Sequence, residues 1–198
     1  MTPVLPLGPK SLAGRFVALE PLEERHHADL VRIADADPAI WTYMPLDLSR
    51  GFALKLAFIA AENAKGAWLT YAVRRLADGV VVGSTSYMAI TPGDARVEIG
   101  ATWFAAAAQG TAANPESTYL LLGNAFAAGY HRVEFKTDSK NARSRAALRK
   151  LGAVEEGVLR GHLWMPQGHF RDSVYFSILA AEWPAVRAAL ERRLAGFG

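Results

Sequence analysis

The chain of 198 residues contains no cysteine. That absence excludes disulfide staples, thiolate-ligated zinc and any acyl-enzyme carried on a thiol. Long apolar runs are lacking as well, and nothing approaches the roughly 18 consecutive apolar residues of a membrane helix. A strong excess of one charge is also missing: 22 Lys and Arg against 19 Asp and Glu leave a net charge of +3. The pI near 9.3 suits an anionic ligand but is too mild to demand nucleic acid. Residues Met1 to Lys10 include three prolines and no apolar h-region, so they do not read as a secretory signal, which favours the cytoplasm. They are expected to form a disordered or strap-like lead-in over 1–11.

What remains is an ordinary globular balance, 51% hydrophobic, 10% aromatic and 21% charged. The length argues for one domain, spanning 12–198 after the lead-in. No repeat or linker divides it. Arg15 to Leu19 reads as a first strand, and Glu23 to Ala34 as an amphipathic helix. After the aromatic stretch Trp41 to Pro45, Ser49 is the expected N-cap of a helix ending near Ala64. Trp68 to Arg75 and Val80 to Ile90 flank Asp78-Gly79 as a hairpin, and Pro92-Gly93-Asp94 turns into a strand over Arg96 to Phe104. Asn114 is the expected cap of the next helix, with Pro115 at its first position and Gly129 after its end. Arg132 to Asp138 alternates strictly, as a half-buried strand does. Asn141 opens a helix stopping at Leu151-Gly152; strands over Val154 to Trp164 and Asp172 to Leu179 flank a Pro166-Gln167-Gly168 turn, and a helix closes the chain from Glu182 to Leu194. The order β-α-α-β-β-β-α-β-α-β-β-α predicts a mixed α/β (α+β) domain, a mainly antiparallel sheet covered by helices.

Several residues carry chemistry in this order. Gln109-Gly110-Thr111-Ala112-Ala113-Asn114 is a loop of small residues entering a helix, where free N–H groups and the helix dipole attract phosphate. The same loop also serves as a plain tight turn. Ala112 stands where glycine would relieve a positive φ, and Glu116 adds a charge that suits the dipole but repels a nearby phosphate. Glu98 lies on the face opposite Val97 and Ile99; it can take the proton of an ammonium acceptor, or pair with Arg96 or a neighbouring lysine. Asn141 has the structural job of an N-cap. Lys140, Arg143, Arg145, Arg149 and Lys150 form a charged helix face that needs no function, although some could meet a phosphate. Trp41, Tyr43 and Met44 suit a binding surface, yet such residues are more often core. His26 and His27 are adjacent, and His162 and His169 lack a third ligand, so no metal site is expected.

Val97-Glu98-Ile99-Gly100, the Gln109–Asn114 loop, Phe135-Lys136-Thr137-Asp138, Asn141 and Ser144 to Gly152 together resemble the RimJ/RimL-type branch of the GNAT superfamily of N-acetyltransferases. The resemblance in element order runs from about Leu12 to Leu194; in motifs it is confined to about Glu98 through Gly157. It implies the GNAT fold and transfer of acetyl from acetyl-CoA to a primary amine, either a protein N-terminus or a small molecule. It implies that Gln109, Gly110, Thr111, Ala112, Ala113 and Asn114 cradle the coenzyme pyrophosphate. Backbone of Thr102, Trp103 and Phe104 would pair with the pantetheine arm, and Asn141 and Ser144 would also contact the coenzyme. Glu98 is implied as general base and Trp41 and Tyr43 as acceptor-site walls; Leu148 stands where many relatives carry a tyrosine acid, so Ser144 or a tyrosine from elsewhere protonates the departing thiolate, or no acid is needed. With no cysteine, direct attack in a ternary complex is favoured. The competing readings are a non-catalytic acyl-CoA sensor on this fold and, further off, a basic nucleic-acid-binding module. Pairing of two copies through the last hairpin and C-terminal helix stays open.

Overall fold

The alternation of residues 132–138 has a direct structural outcome. They form β6 (Arg132–Asp138), with Val133 and Phe135 buried in the main core and Arg132, Glu134 and Lys136 on the other face. The computed structural model describes residues 4–45 and 51–197; Ser49, expected to cap a helix, lies outside them. The strands preceding β6 are β1 (Leu12–Ala13), β2 (Val17–Pro21), β3 (Leu69–Arg75), β4 (Val81–Thr91) and β5 (Arg96–Phe104); β7 (Val154–Met165) and β8 (His169–Leu179) follow it. The helices are α1 (His27–Ala36), α2 (Phe52–Ala64), α3 (Ala113–Ala127), α4 (Ala142–Leu151) and α5 (Trp183–Ala195). The strands make one sheet in the order β1-β2-β3-β4-β5-β6-β8-β7. Its pairs are antiparallel except β5 with β6. Among the described residues, no helix is long and apolar enough to cross a membrane.

Two apolar clusters sandwich the sheet. Leu121, Leu122 and Ala125 of α3, Leu151 of α4 and Val186 and Leu190 of α5 pack on one face against Val17, Leu19, Val73, Val97, Val133, Val174 and Ile178. On the other face Leu30 and Ile33 of α1, Trp41, and Phe52 and Leu56 of α2 cover Ala72, Val81 and Trp103. Among the described residues this second cluster includes none from β6 or β8, whose Glu134, Lys136, Arg171, Ser173 and Tyr175 form a polar shelf on that face.

Several boundaries depart from the sequence expectations. A two-residue strand, β1, precedes the expected first strand and pairs with β2. The first helix begins as a 3-10 turn over Glu24–His26 because His26 Nδ1 accepts from Glu23 N–H at 3.0 Å, and α1 proper then runs to Ala36. Strand β8 starts at His169, not Asp172, since Phe170 and Arg171 pair with Trp164 and Leu163. Residues of the lead-in pack down: Leu7 joins the main core, and Leu5 N–H donates to the Ala128 carbonyl at 2.8 Å.

Gly83 marks the tightest approach between strands. A Cβ there would lie 2.2 Å from the Trp103 carbonyl oxygen, a backbone atom that cannot yield without disturbing β5. Gly83→Ala is therefore expected to cost about 2–4 kcal/mol in urea unfolding. Gly93→Ala, where nothing lies within 4 Å, should stay within about 0.5 kcal/mol of the parent.

Candidate active site

The parallel pairing of β5 and β6 is short. Arg96, Val97 and Glu98 pair with Arg132, Val133 and Glu134, and there the register ends. Both strands continue, β5 to Phe104 along β4 and β6 to Asp138 along β8. The result is a notch between two strands of one sheet, with Glu98 at its vertex. Within β5 the pairing to β4 is irregular: Gly100 opposes Ser86 but Trp103 opposes Ser84, so one extra residue bulges out. Ala101 takes φ +48°, a left-handed backbone that alanine rarely adopts. The bulge reverses the alternation. Before it Val97 and Ile99 face the main core; after it Phe104 does, and Trp103 turns to the α1–α2 side that Glu98 also faces.

Helix starts flank the notch. The structure begins α3 at Ala113, so Asn114 is inside the helix and is not its cap, and Pro115 is the third helical residue. The capping hydroxyl is that of Thr111, which accepts from Ala113 N–H at 3.2 Å and donates to the Ala108 carbonyl at 2.7 Å. Proline is tolerated there because the first helical turn needs no N–H donors from it. Ala112 sits at φ −65°, so the strain expected at this position is absent; Gly110, at φ +78°, carries the left-handed turn. Among the described residues the N–H groups of Gly110, Thr111, Ala112 and Asn114 donate to no protein acceptor. Such a run of free amides at a helix start fits a phosphate. Glu116 does not oppose it as expected, because its carboxylate is buried against the backbone of residues 15–17.

The second helix start is closed by Asn141, whose Oδ1 accepts from Ser144 N–H at 3.0 Å. The Ser144 hydroxyl has no partner among the described residues. Gln109 ties the two starts together: its Nε2 donates to the Phe104 carbonyl at 3.0 Å, and its Oε1 accepts from Arg143 Nη2 at 2.7 Å. Arg143 thus comes out of the basic face of α4 to the loop. Leu148 packs on the main core and offers no proton.

Glu98 is 4% exposed and accepts from Lys136 Nζ at 2.7 Å. Burial pushes its carboxyl above the usual range, and Lys136 pulls the other way. Around this pair stand Tyr175, raised mainly by burial, and His162, lowered by burial and then by Lys136 and Arg171. Arg171, also buried, donates to Ser173 Oγ and to the Tyr43 carbonyl, each at 3.0 Å. Trp41 is core: it stacks on Phe52, tilts against Trp103, and its indole N–H donates to the Ala34 carbonyl at 3.0 Å. Tyr43 is exposed. Sequence reasoning assigns no site role to Lys136, Arg171, Tyr175 or His162. Strict alternation marks the face of Lys136, but only the β5–β6 register shows that it meets Glu98.

A model of the acetyltransferase (GNAT) domain matches residues 17–154. Among proteins with curated descriptions none matches the chain. Solved structures do. A GCN5-related N-acetyltransferase from Brucella melitensis is 29% identical with a TM-score of 0.87, over 94% of this chain and 86% of that one. A T. thermophilus protein classed as an acetyltransferase is 37% identical with a TM-score of 0.82, over 94% and 98%. Mycobacterium smegmatis RimJ, solved in complex with CoA-disulfide, is 27% identical with a TM-score of 0.82, over 97% of both. The matched domain model and these structures place the chain among enzymes that work on an acyl thioester. The chain belongs to the GNAT acetyltransferase family and is an acyl-CoA-dependent acetyltransferase.

Lys136 partly neutralises a buried carboxylate, so its removal has a pH signature. A carboxyl raised in the folded state binds more protons there than when unfolded, between its ordinary value and the raised one. Stability therefore falls as pH rises through that window. Lys136→Met raises Glu98 further and should cost about 3 kcal/mol at pH 8, with a smaller loss at pH 5. Urea unfolding at the two pH values measures it.

Proposed function

We propose that this protein is an N-acetyltransferase of the RimJ/RimL-like branch. It moves acetyl from acetyl-CoA to a primary amine, on a protein N-terminus or a small molecule, by direct attack. The observation that carries this reading is the parting of β5 from β6 at Glu98, with free helix-start amides beside it. The likeness to RimJ from M. smegmatis, itself solved with a coenzyme A disulfide, supports the donor and the branch.

Bound acetyl-CoA supplies an activated thioester. The chain binds its pyrophosphate with the loop Gln109, Gly110, Thr111, Ala112, Ala113 and Asn114, through backbone N–H groups that need no side-chain charge. Gln109 acts by bracing the loop to Phe104 and Arg143. Backbone of Thr102, Trp103 and Phe104, turned by the bulge, pairs with the pantetheine arm. An N–H aimed at the developing oxyanion there contributes roughly 3–4 kcal/mol. Asn141 and Ser144 contact the coenzyme from α4, and the Ser144 hydroxyl serves as the proton donor to the departing sulfur. A thiol near pKa ~8.5 leaves tolerably even without that help.

Glu98 accepts the proton of the incoming ammonium, directly or through water. Its raised pKa brings it nearer neutrality than a solvated carboxylate, which suits a base working at physiological pH. Tyr43 borders the acceptor on the exposed side, and Trp41 acts from beneath as packing for the same wall.

Thiol release across a panel of amines and N-terminal peptides tests the reaction. Wild-type activity is expected to fall on the acid side as Glu98 protonates, above the ordinary carboxylate value of 4.5. Glu98→Gln should lower kcat by about 10²–10⁴-fold and abolish that limb, with KM for acetyl-CoA little changed. Full activity in Glu98→Gln removes Glu98 as base, and no release with any amine removes the transferase reading.

A further inference from the structure

Glu116 lies in the first turn of α3 and is 4% exposed, yet no cation pairs with it among the described residues. Its charge is met entirely by backbone. Oε1 accepts from Arg15 N–H at 2.7 Å, and Oε2 accepts from Phe16 N–H at 2.6 Å and Val17 N–H at 2.7 Å. Arg15 and Phe16 belong to the turn that joins β1 to β2 and Val17 opens β2, all about a hundred residues away in sequence. Gly14 closes this turn by donating its N–H to the Val17 carbonyl at 2.9 Å. A Cβ on Gly14 would fall 2.4 Å from the Glu116 carboxyl carbon, so the turn is shaped around the carboxylate.

Three short charge-assisted hydrogen bonds at one buried group form a rigid joint. That joint lies two residues beyond Asn114, the last of the free amides in the coenzyme loop. It has two effects on the loop. It fixes the first turn of α3 to the N-terminal hairpin, and so fixes where the free N–H groups point. It also engages a negative charge that would otherwise lie next to a bound phosphate.

We propose that Glu116 is a positioning residue for the coenzyme pyrophosphate, acting through its anchor on the turn Gly14–Val17. The proposal rests on the reading of the loop as the pyrophosphate site, and the test separates the two. Calorimetric titration with coenzyme A and with pantetheine, which lacks the pyrophosphate, gives a ratio of dissociation constants that needs no acceptor amine. In the wild type pantetheine should bind much more weakly. Glu116→Gln puts an amide group against one of the three donors and should lower the ratio by about tenfold, mainly by weakening coenzyme A. Gly14→Ala disturbs the same joint from its other side and should act alike, which keeps the test open if one variant folds poorly. Ile178→Ala, a buried truncation in β8, five strands from β2 in the sheet order, should lower the Tm and leave the ratio unchanged. If both joint variants lose Tm but keep the wild-type ratio, Glu116 only stabilises the fold and the proposal is overturned. If the wild type itself binds pantetheine as tightly as coenzyme A, the loop reading fails and the positioning role falls with it.

Discussion

The site depends on one constraint: β5 and β6 cannot stay paired beyond Glu98. Each strand is held by its other neighbour. β6 pairs with β8 over its whole length, from Arg132–Leu179 to Asp138–Ser173, so it cannot swing to follow β5. β5 stays with β4 as far as Phe104, and the bulge at Ala101 adds twist in the stretch where the two strands separate. Main-chain groups facing the notch lose their ladder partners, and such groups are satisfied in folded proteins by water or by a ligand. A ligand arm with amides of its own meets that demand. The strained φ at Ala101 is sustained because β4 and the α1–α2 aromatic cluster, through Trp103, determine the strand on either side of it.

The charge at the vertex follows from the same geometry. Parallel register places Glu98 level with Glu134, and Lys136 two residues further along β6 reaches back to Glu98. A buried ion pair is weak as a source of stability, since a well-packed apolar pair of similar volume does as well or better. Lys136 and Glu98 share their side of the sheet with Tyr175 and Arg171, which add further polar groups. The carboxylate is kept in a balance, pushed up by burial and held down by one lysine, on which the proposed proton transfer relies.

Legibility in the sequence follows the physics of each segment. β6 is readable to the residue because its alternation is unbroken. β5 is readable only to Ile99: alternation assigns Trp103 to the face of Val97 and Ile99, and the bulge puts it on the other. No residue type announces that bulge, since Ala101 is not the glycine expected at a positive φ. The helix start at Ala113 is masked by a conspicuous Asn-Pro pair, while the hydroxyl that does the capping, on Thr111, is two residues earlier. Glu116 reads as a dipole charge because its partners are backbone amides a hundred residues away. Long-range pairing to main chain leaves no trace in side-chain pattern.

The two substrates are recognised by different means, and this explains why one is legible in the sequence and the other is not. In the function proposed above the donor meets backbone: free amides at a helix start and the open edge of a strand. Those features follow from fold and from small residues, and they tolerate change in everything else. The acceptor, in the same proposal, meets side chains, whose placement depends on long-range packing. Here Arg171 of β8 reaches across to hold the Tyr43 carbonyl, so the wall after Trp41 is set by a buried guanidinium from the far end of the chain. The neighbouring hairpin presents Trp164 and Phe170 edge to face, both more than half exposed. That apolar area favours cover by another apolar surface, whereas charged groups on the shelf favour a polar end. That face of the sheet thus sets the buried Lys136–Glu98 pair beside an exposed aromatic hairpin, two surfaces of opposite character within one stretch of β6, β7 and β8.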